Sequence, residues 1–243
     1  GSNRSWDSLE TSELRTDHSF TILAREYNER SGAKWEENLL TSFGLVTDDG
    51  HLTNAGLLFA DNCPIKQSRV YCTRWDGTDK GDTINDAEFY GNLLMLLRQA
   101  KDFIKANTAV PWFKLPDYRL NLPEYSDRAT EEKCVNHLIH RDYTELGSEV
   151  AINIYDDRIE TTSPGGIKET LKFEPVIPAE TSSKRRNPVI AEVFAQLDYM
   201  EKRGSGLKKI VDATSLLPTY KEDKMPYFRS NREEFRTIIP NVN

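Results

Sequence analysis

The sequence predicts an α+β fold: a two-layer sandwich of a mixed β-sheet and helices, with a small N-terminal helical, wing-like segment. Three observations predict it. Phe89, Leu93, Leu96, Leu97, Ala100, Phe103 and Ile104 fall on one face of a long amphipathic helix. Val150, Ile152 and Ile154 alternate before an Asp156-Asp157 turn, and Ile159 and Thr161 continue on a partner strand. Strands and helices mix without a regular βαβ alternation, which argues against a doubly wound parallel sheet.

In chain order, Phe20, Leu23, Ala24 and Tyr27 recur at helical spacing, and Trp35, Leu39, Leu40 and Phe43 form a second apolar stripe. Leu45-Val46, the turn Thr47-Asp48-Asp49-Gly50 and His51-Leu52-Thr53 predict a hairpin, and a short helix follows from Asn54 to Phe59. Two helices and a wing suit either a winged-helix-like module or a plain packing segment. A polar, proline-containing joint over Asp61 to Gln67 sets the expected boundary between an N-terminal unit, 1–65, and a main domain, 66–243. Val70 to Trp75 then alternate as a strand, Gly77 to Asp82 turn, and Asn85 or Asp86 can cap the long helix. Tyr118 to Leu122 predict a strand, and a helix starting near Thr130 carries Glu131 and Glu132 in its first turn. Ser163 to Asn187 read as a long connection. Helices over Pro188 to Met200 and Ser205 to Ala213 follow, then closing strands over Tyr227 to Ser230 and Glu234 to Ile239.

The composition narrows the function. With 243 residues, 37% of them hydrophobic, the chain can bury one large core. No apolar run approaches the roughly 20 residues that cross a bilayer, so no membrane role is expected. Gly1-Ser2-Asn3 lacks the features of a signal peptide and reads as a cleavage scar, which leaves room for an upstream domain. Cys63, Cys72 and Cys134 are odd in number and far apart, so reduced thiols in a cytoplasmic protein are expected rather than disulfides or a zinc site. A net charge of −7 opposes a broad grip on nucleic acid, and the one dense basic run, Lys184-Arg185-Arg186, reads as a solvated loop.

Chemistry concentrates in three places. Glu132 and Asn136 lie one helical turn apart at the edge of an apolar arc formed by Cys134, Val135, Leu138 and Ile139. An amide oxygen there can ligate Mg²⁺ beside phosphate oxygens, and a carboxylate can orient and deprotonate a water. Helix-edge polarity accounts for the same pattern. His137, His140, Arg141 and Asp142 make a weak metal set, and pairing of Arg141 with Asp142 is the better expectation. Ser163-Pro164-Gly165-Gly166 follows a strand directly, and Gly204-Ser205-Gly206 opens a helix, where free N–H groups favour an anion. No Walker A sequence, strand-linked GxGxxG or GxSxG elbow is present.

Together these motifs resemble a known family. EKCVNHLIHRDY, residues 132–143, is similar to the EALVNALVHRDY stretch of bacterial transcriptional regulators that join a Schlafen-type AlbA-like domain to a RecG-related, GHKL-like ATP-binding domain. DRIETTSPGGI, residues 157–167, resembles that family's DRIEIFSPGGL. RNP at 186–188 and EKRGSGL at 201–207 match its RNP and EKRGSG runs, and LTNAGLLF at 52–59 and DGTDK at 76–80 are also its phrases.

The resemblance implies a Bergerat fold binding ATP and Mg²⁺ between a helical layer and a lid over Ile167 to Asn187. It places Asn136 on Mg²⁺ and Glu132 as the catalytic base of, at most, a slow Mg²⁺-dependent ATPase. His140, Arg141, Ser163, Gly165, Gly166, Arg186, Arg203, Gly204, Ser205 and Gly206 fall around the nucleotide, and Arg185 or Arg186 within reach of phosphate. Ser163 stands where such domains usually carry an adenine-reading aspartate, and Leu207-Lys208-Lys209 replaces a further glycine. Nucleotide occupancy would modulate a DNA-associated regulator, with DNA met through the longer protein and a homodimer compatible with that arrangement. The alternative is a scaffold or dimerisation domain that binds no nucleotide, with DNA contacted by the wing-like segment or by a domain upstream.

Overall fold

The computed structural model describes residues 4–180, 185–202 and 204–243; Gly1-Ser2-Asn3, Lys184 and Arg203 lie outside them. The elements in order are β1 (Glu10–Leu14), α1 (Thr21–Ser31), α2 (Leu39–Ser42), β2 (His51–Thr53), α3 (Asn54–Phe59), β3 (Arg69–Trp75), β4 (Thr83–Tyr90), α4 (Leu93–Ala106), β5 (Trp112–Lys114), β6 (Arg119–Asn121) and α5 (Asp127–His140). They continue with β7 (Val150–Ile154), β8 (Arg158–Pro164), β9 (Glu174–Val176), α6 (Pro188–Gln196), α7 (Gly206–Ser215), β10 (Tyr227–Ser230) and β11 (Glu234–Pro240).

Seven strands form one mixed sheet in the order β4-β3-β7-β8-β11-β10-β9. Only β3 and β7 pair in parallel; the other neighbours are antiparallel. Helix α5 lies against β8 and is flanked by α4, α6 and α7, so the helices make a second layer. The protein is a two-layer α+β sandwich. One apolar core runs from Phe20 and Leu23 through Leu58, Leu97, Leu138 and Ile152 to Ile239. The N-terminal segment joins that core, as Phe59 meets Phe194 of α6 edge-to-face at 5.7 Å.

Several boundaries differ from the sequence expectation for local reasons. Asn85 and Asp86 cap no helix: 83–90 pair with β3, Val70 opposite Phe89, and Phe89 is a strand residue. Gly91, at φ +113°, reverses the chain, and Asn92 takes the cap by accepting the N–H groups of Leu94 and Met95. Helix α5 starts earlier than Thr130, because Ser126 Oγ accepts the Ala129 N–H at 3.1 Å. The stretch 163–187 is more than a connection, since β9 pairs with β10 through Val176 and Phe228. Residues 10–14, unassigned in the sequence, form β1 by pairing with β2. Helix α6 stops at Gln196, ahead of Met200, where Asp198 turns the chain at φ +61°.

Candidate functional site

A cavity of about 1000 Å³ opens between α5, the N-terminus of α7 and the segments after β8 and β9. Its walls include Glu132, Asn136 and His140 of α5, Gly166, Arg185, Arg186, and Gly204, Ser205 and Gly206. Apolar side chains, among them Val135, Ile139, Ile167, Val176, Met200 and Leu207, line the rest. A cavity that combines apolar walls with charged and polar groups suits an organic ligand carrying an anionic group.

Glu132 and Asn136 face α7 at its closest approach. A Cβ on Gly206 would lie 2.7 Å from Asn136 Nδ2 and 3.6 Å from Glu132 Oε2, so any larger residue there would displace the Asn136 side chain. Asn136 Oδ1 is buried in this wall with no hydrogen-bond partner among the described residues. A buried acceptor left unpaired costs about 1–3 kcal/mol, which a hard cation would relieve. Burial raises the Glu132 carboxyl above the ordinary glutamate range; Lys209 and Arg128 oppose that shift, and Glu131 and Glu201 reinforce it. A raised carboxylate suits a proton acceptor working near neutrality. Among the described residues no cluster of three His, Cys, Asp or Glu could hold a metal, so a cation here would share Asn136 with ligand oxygens.

The glycine segments behave unequally. Ser205 Oγ accepts the Lys208 N–H at 3.3 Å and caps α7, whose N-terminus opens on the cavity. The N–H groups of Gly165 and Gly166 instead bond Glu233 O at 2.7 Å and Arg232 O at 3.0 Å, so they hold the β10–β11 turn. A Cβ on Gly166 would run into the Asn231 carbonyl, and one on Gly165, at φ +93°, into the Arg186 guanidinium. These glycines permit backbone packing there.

The RNP run ties down the end of α5. Arg186 donates to His140 O at 2.7 Å and Gly166 O at 2.9 Å. Asn187 Nδ2 donates to Ile139 O and Arg141 O at 2.8 and 2.7 Å. The last carbonyls of the helix are thereby satisfied, and Pro188 opens α6 at a position that needs no N–H. Arg185 also faces the cavity; its nearest bond is to Met200 Sδ at 3.5 Å, and it pairs with no acid among the described residues.

Three expected site residues, Gly165, Ser163 and Arg141, lie away from the cavity wall. Ser163 is buried, its hydroxyl 2.9 Å from His137 Nδ1, while Thr237 Oγ1 holds Nε2 at 2.8 Å. Arg141 does not pair with the Asp142 carboxylate. Its guanidinium is buried among the carbonyls of Gln67, Asp142, Glu145 and Ser148, which satisfy its donors and fix the following loop. His140 lines the cavity with its ring edge-on to Phe235 at 6.2 Å; burial, then Arg185 and Arg186, push its pKa down to about 4.

Sequence reasoning did not single out Lys209 or Glu201. Lys209 Nζ lies 3.0 Å from Glu201 Oε1 and 4.0 Å from Glu132 Oε1, and all three line the cavity. One sequence signal was available: Lys209 follows Ser205 by four residues, one turn into the helix whose N-terminus faces Glu132.

Residues 147–239 match the family model described as "Putative ATP-dependent DNA helicase recG C-terminal". That span holds both glycine segments and Lys209, and it begins after Glu132 and Asn136. No curated protein matches the chain. Among solved structures, the DIP2311 protein from Corynebacterium diphtheriae superposes with a TM-score of 0.77 at 19% identity, over 99% of this chain and 48% of that one. The chain spans about half the length of that protein, and likeness at this identity shows the fold alone. No helix among the described residues is long and apolar enough to cross a membrane. The chain therefore carries, over residues 147–239, a region related to the ATPase-like RecG C-terminal family, within the fold of the corynebacterial protein.

Proposed function

We propose that the cavity is a Mg²⁺-dependent nucleotide site of a GHKL-like (Bergerat) regulatory domain in a cytoplasmic transcriptional regulator. The observation that carries this reading is Asn136 Oδ1, buried in the cavity wall beside Glu132 and the N-terminus of α7 with no partner among the described residues. Magnesium, when bound, would be held by Asn136 and would supply positive charge that offsets the negative charge of the phosphates. Asn136 offers the cation its oxygen, the α7 N-terminus and Arg185 attract phosphate, and the apolar walls exclude water from the rest of the ligand. Glu132 holds an attacking water and accepts its proton, in a slow turnover at most. Residues 1–65 form an appended helix-and-wing segment. Ligand occupancy modulates a DNA-associated partner domain or a homodimer, with DNA met outside this acidic chain.

Calorimetric titration with a non-hydrolysable ATP analogue tests the reading. Binding that needs Mg²⁺ and weakens about tenfold or more in Asn136→Ala is expected, the loss of a charge-assisted contact. Absence of heat up to millimolar ligand from a folded protein sinks it.

A second reading, a scaffold that holds no nucleotide, is favoured by one observation: Gly165, Gly166 and Ser163 spend their polar groups inside the protein. It predicts that Asn136→Ala changes stability alone.

A further inference from the structure

The geometry points to Lys209 as the cation that receives the anionic end of the ligand, with the Glu201 carboxylate as a built-in placeholder for that anion. This deepens the nucleotide reading and rests on it for the identity of the ligand.

Four observations carry it. Lys209 reaches two carboxylates at once, Glu201 at 3.0 Å and Glu132 at 4.0 Å, so one positive charge is shared by two negative ones. The two acids differ in exposure: the Glu201 side chain is 68% exposed and that of Glu132 only 8%. Glu201 also follows the end of α6 and precedes Gly204, whose φ of +108° lets the chain reverse into α7. Lys209 is the fourth residue of α7, close to the helix N-terminus, where the helix dipole favours negative charge.

Entry of a polyphosphate adds negative charge beside Glu201 and Glu132. One carboxylate must give way, and the exposed one can do so without burying or unburying anything. Lys209 then passes from Glu201 to the ligand, and the segment 197–202 loses its tie to α7. Lys202, paired with Glu192 of α6 at 3.1 Å, keeps that segment attached on its other side. The chain thus competes with its own ligand, and the competition sets affinity.

The test is a double-mutant cycle on the whole chain, titrated with the non-hydrolysable ATP analogue plus Mg²⁺ and, separately, with inorganic tripolyphosphate. Glu201→Gln should tighten binding about two- to fivefold, the range spanned by an exposed ion pair. Lys209→Met should weaken it about tenfold or more. Adding Glu201→Gln to Lys209→Met should change nothing further, because the placeholder has no cation left to hold. Unchanged affinity in Glu201→Gln, or equal tightening with and without Lys209, overturns the proposal while leaving the nucleotide reading intact. Tripolyphosphate binding that follows the cycle, without any binding of the nucleotide, overturns the nucleotide reading and keeps the placeholder. Neither probe binding to any variant overturns both.

Discussion

The carboxylate of Asp7 accepts the backbone N–H of Val189 at 2.8 Å, and its same oxygen takes that of Ile190 at 2.9 Å, so a residue near the start of the chain caps α6. Asp7 is fully buried; burial raises its pKa, while hydrogen bonds from Ser5, Ile190 and Val189 draw it back. An N-cap supplied from outside the helix fastens the N-terminal segment to the helical layer. Asp7→Ala should therefore lower stability by about 1–2 kcal/mol, and Asp7→Asn by less because one acceptor survives. Urea denaturation checks this: the midpoint should fall at constant slope, and an unmoved midpoint would show that water caps α6 equally well.

Gly206 should be as sensitive as the residues it touches. A methyl group there meets Asn136 Nδ2 at 2.7 Å, and α5 cannot retreat because α4 and α6 pack beside it. Gly206→Ala should cut Mg²⁺-dependent nucleotide affinity about tenfold, a loss of about 1.4 kcal/mol, by displacing the Asn136 side chain. Stability should change by less than about 1 kcal/mol, since alanine favours the helix and the contact opposes it. Calorimetry with and without Mg²⁺ reads the first effect and thermal unfolding the second. Equal affinity with and without the methyl group would mean that Asn136 does not hold the cation.

The sequence made the second layer and the central strands legible, because α5, β7, β8, β10 and β11 carry their apolar periodicity locally. It hid β4, whose alternation over 83–90 is masked by Phe89 lying in phase with the helix that follows. It hid β1 and β9 as well, since short strands exist only by pairing with distant partners. At the site, Glu132, Asn136 and Gly206 were readable from spacing on two helices. The commitments of Ser163 to His137 and of Arg141 to four carbonyls were not, for they depend on contacts made after folding. Lys209 and Glu201 became visible once α7 stood against α5.

Two histidines tie stability to acid. His137 is fully buried between Ser163 and Thr237, and burial pushes its pKa well below the ordinary histidine value; that of His140 is pushed down to about 4. Both are neutral in the fold, whereas the unfolded chain protonates them near pH 6.5. Below that pH the unfolded state binds more protons, so stability is complete above about 6.5 and falls as the pH drops toward 4, by up to about 1.4 kcal/mol per unit for each group. The unfolding midpoint should be lower at pH 5 than at pH 7, and His140→Asn should make the dependence shallower. A midpoint independent of pH over that interval would show that neither ring is held neutral.

Lys133 works against the fold. It lies on α5 with its side chain fully buried, and Nζ has no hydrogen-bond partner among the described residues. Burial lowers its pKa, while the neighbouring Cys134 and Cys72 oppose the shift. Because the folded value lies below the unfolded one of about 10.4, the unfolded chain binds the extra proton between the two values, and stability rises with pH across that interval. Lys133→Met keeps the length of the side chain and removes the amine. It should raise stability at pH 7 by about 1–3 kcal/mol and flatten the gain between pH 7 and 10. Chemical denaturation of both proteins at those two pH values decides the point. A variant less stable than the parent at pH 7 would mean that the amine makes a bond in the core that an apolar side chain cannot replace.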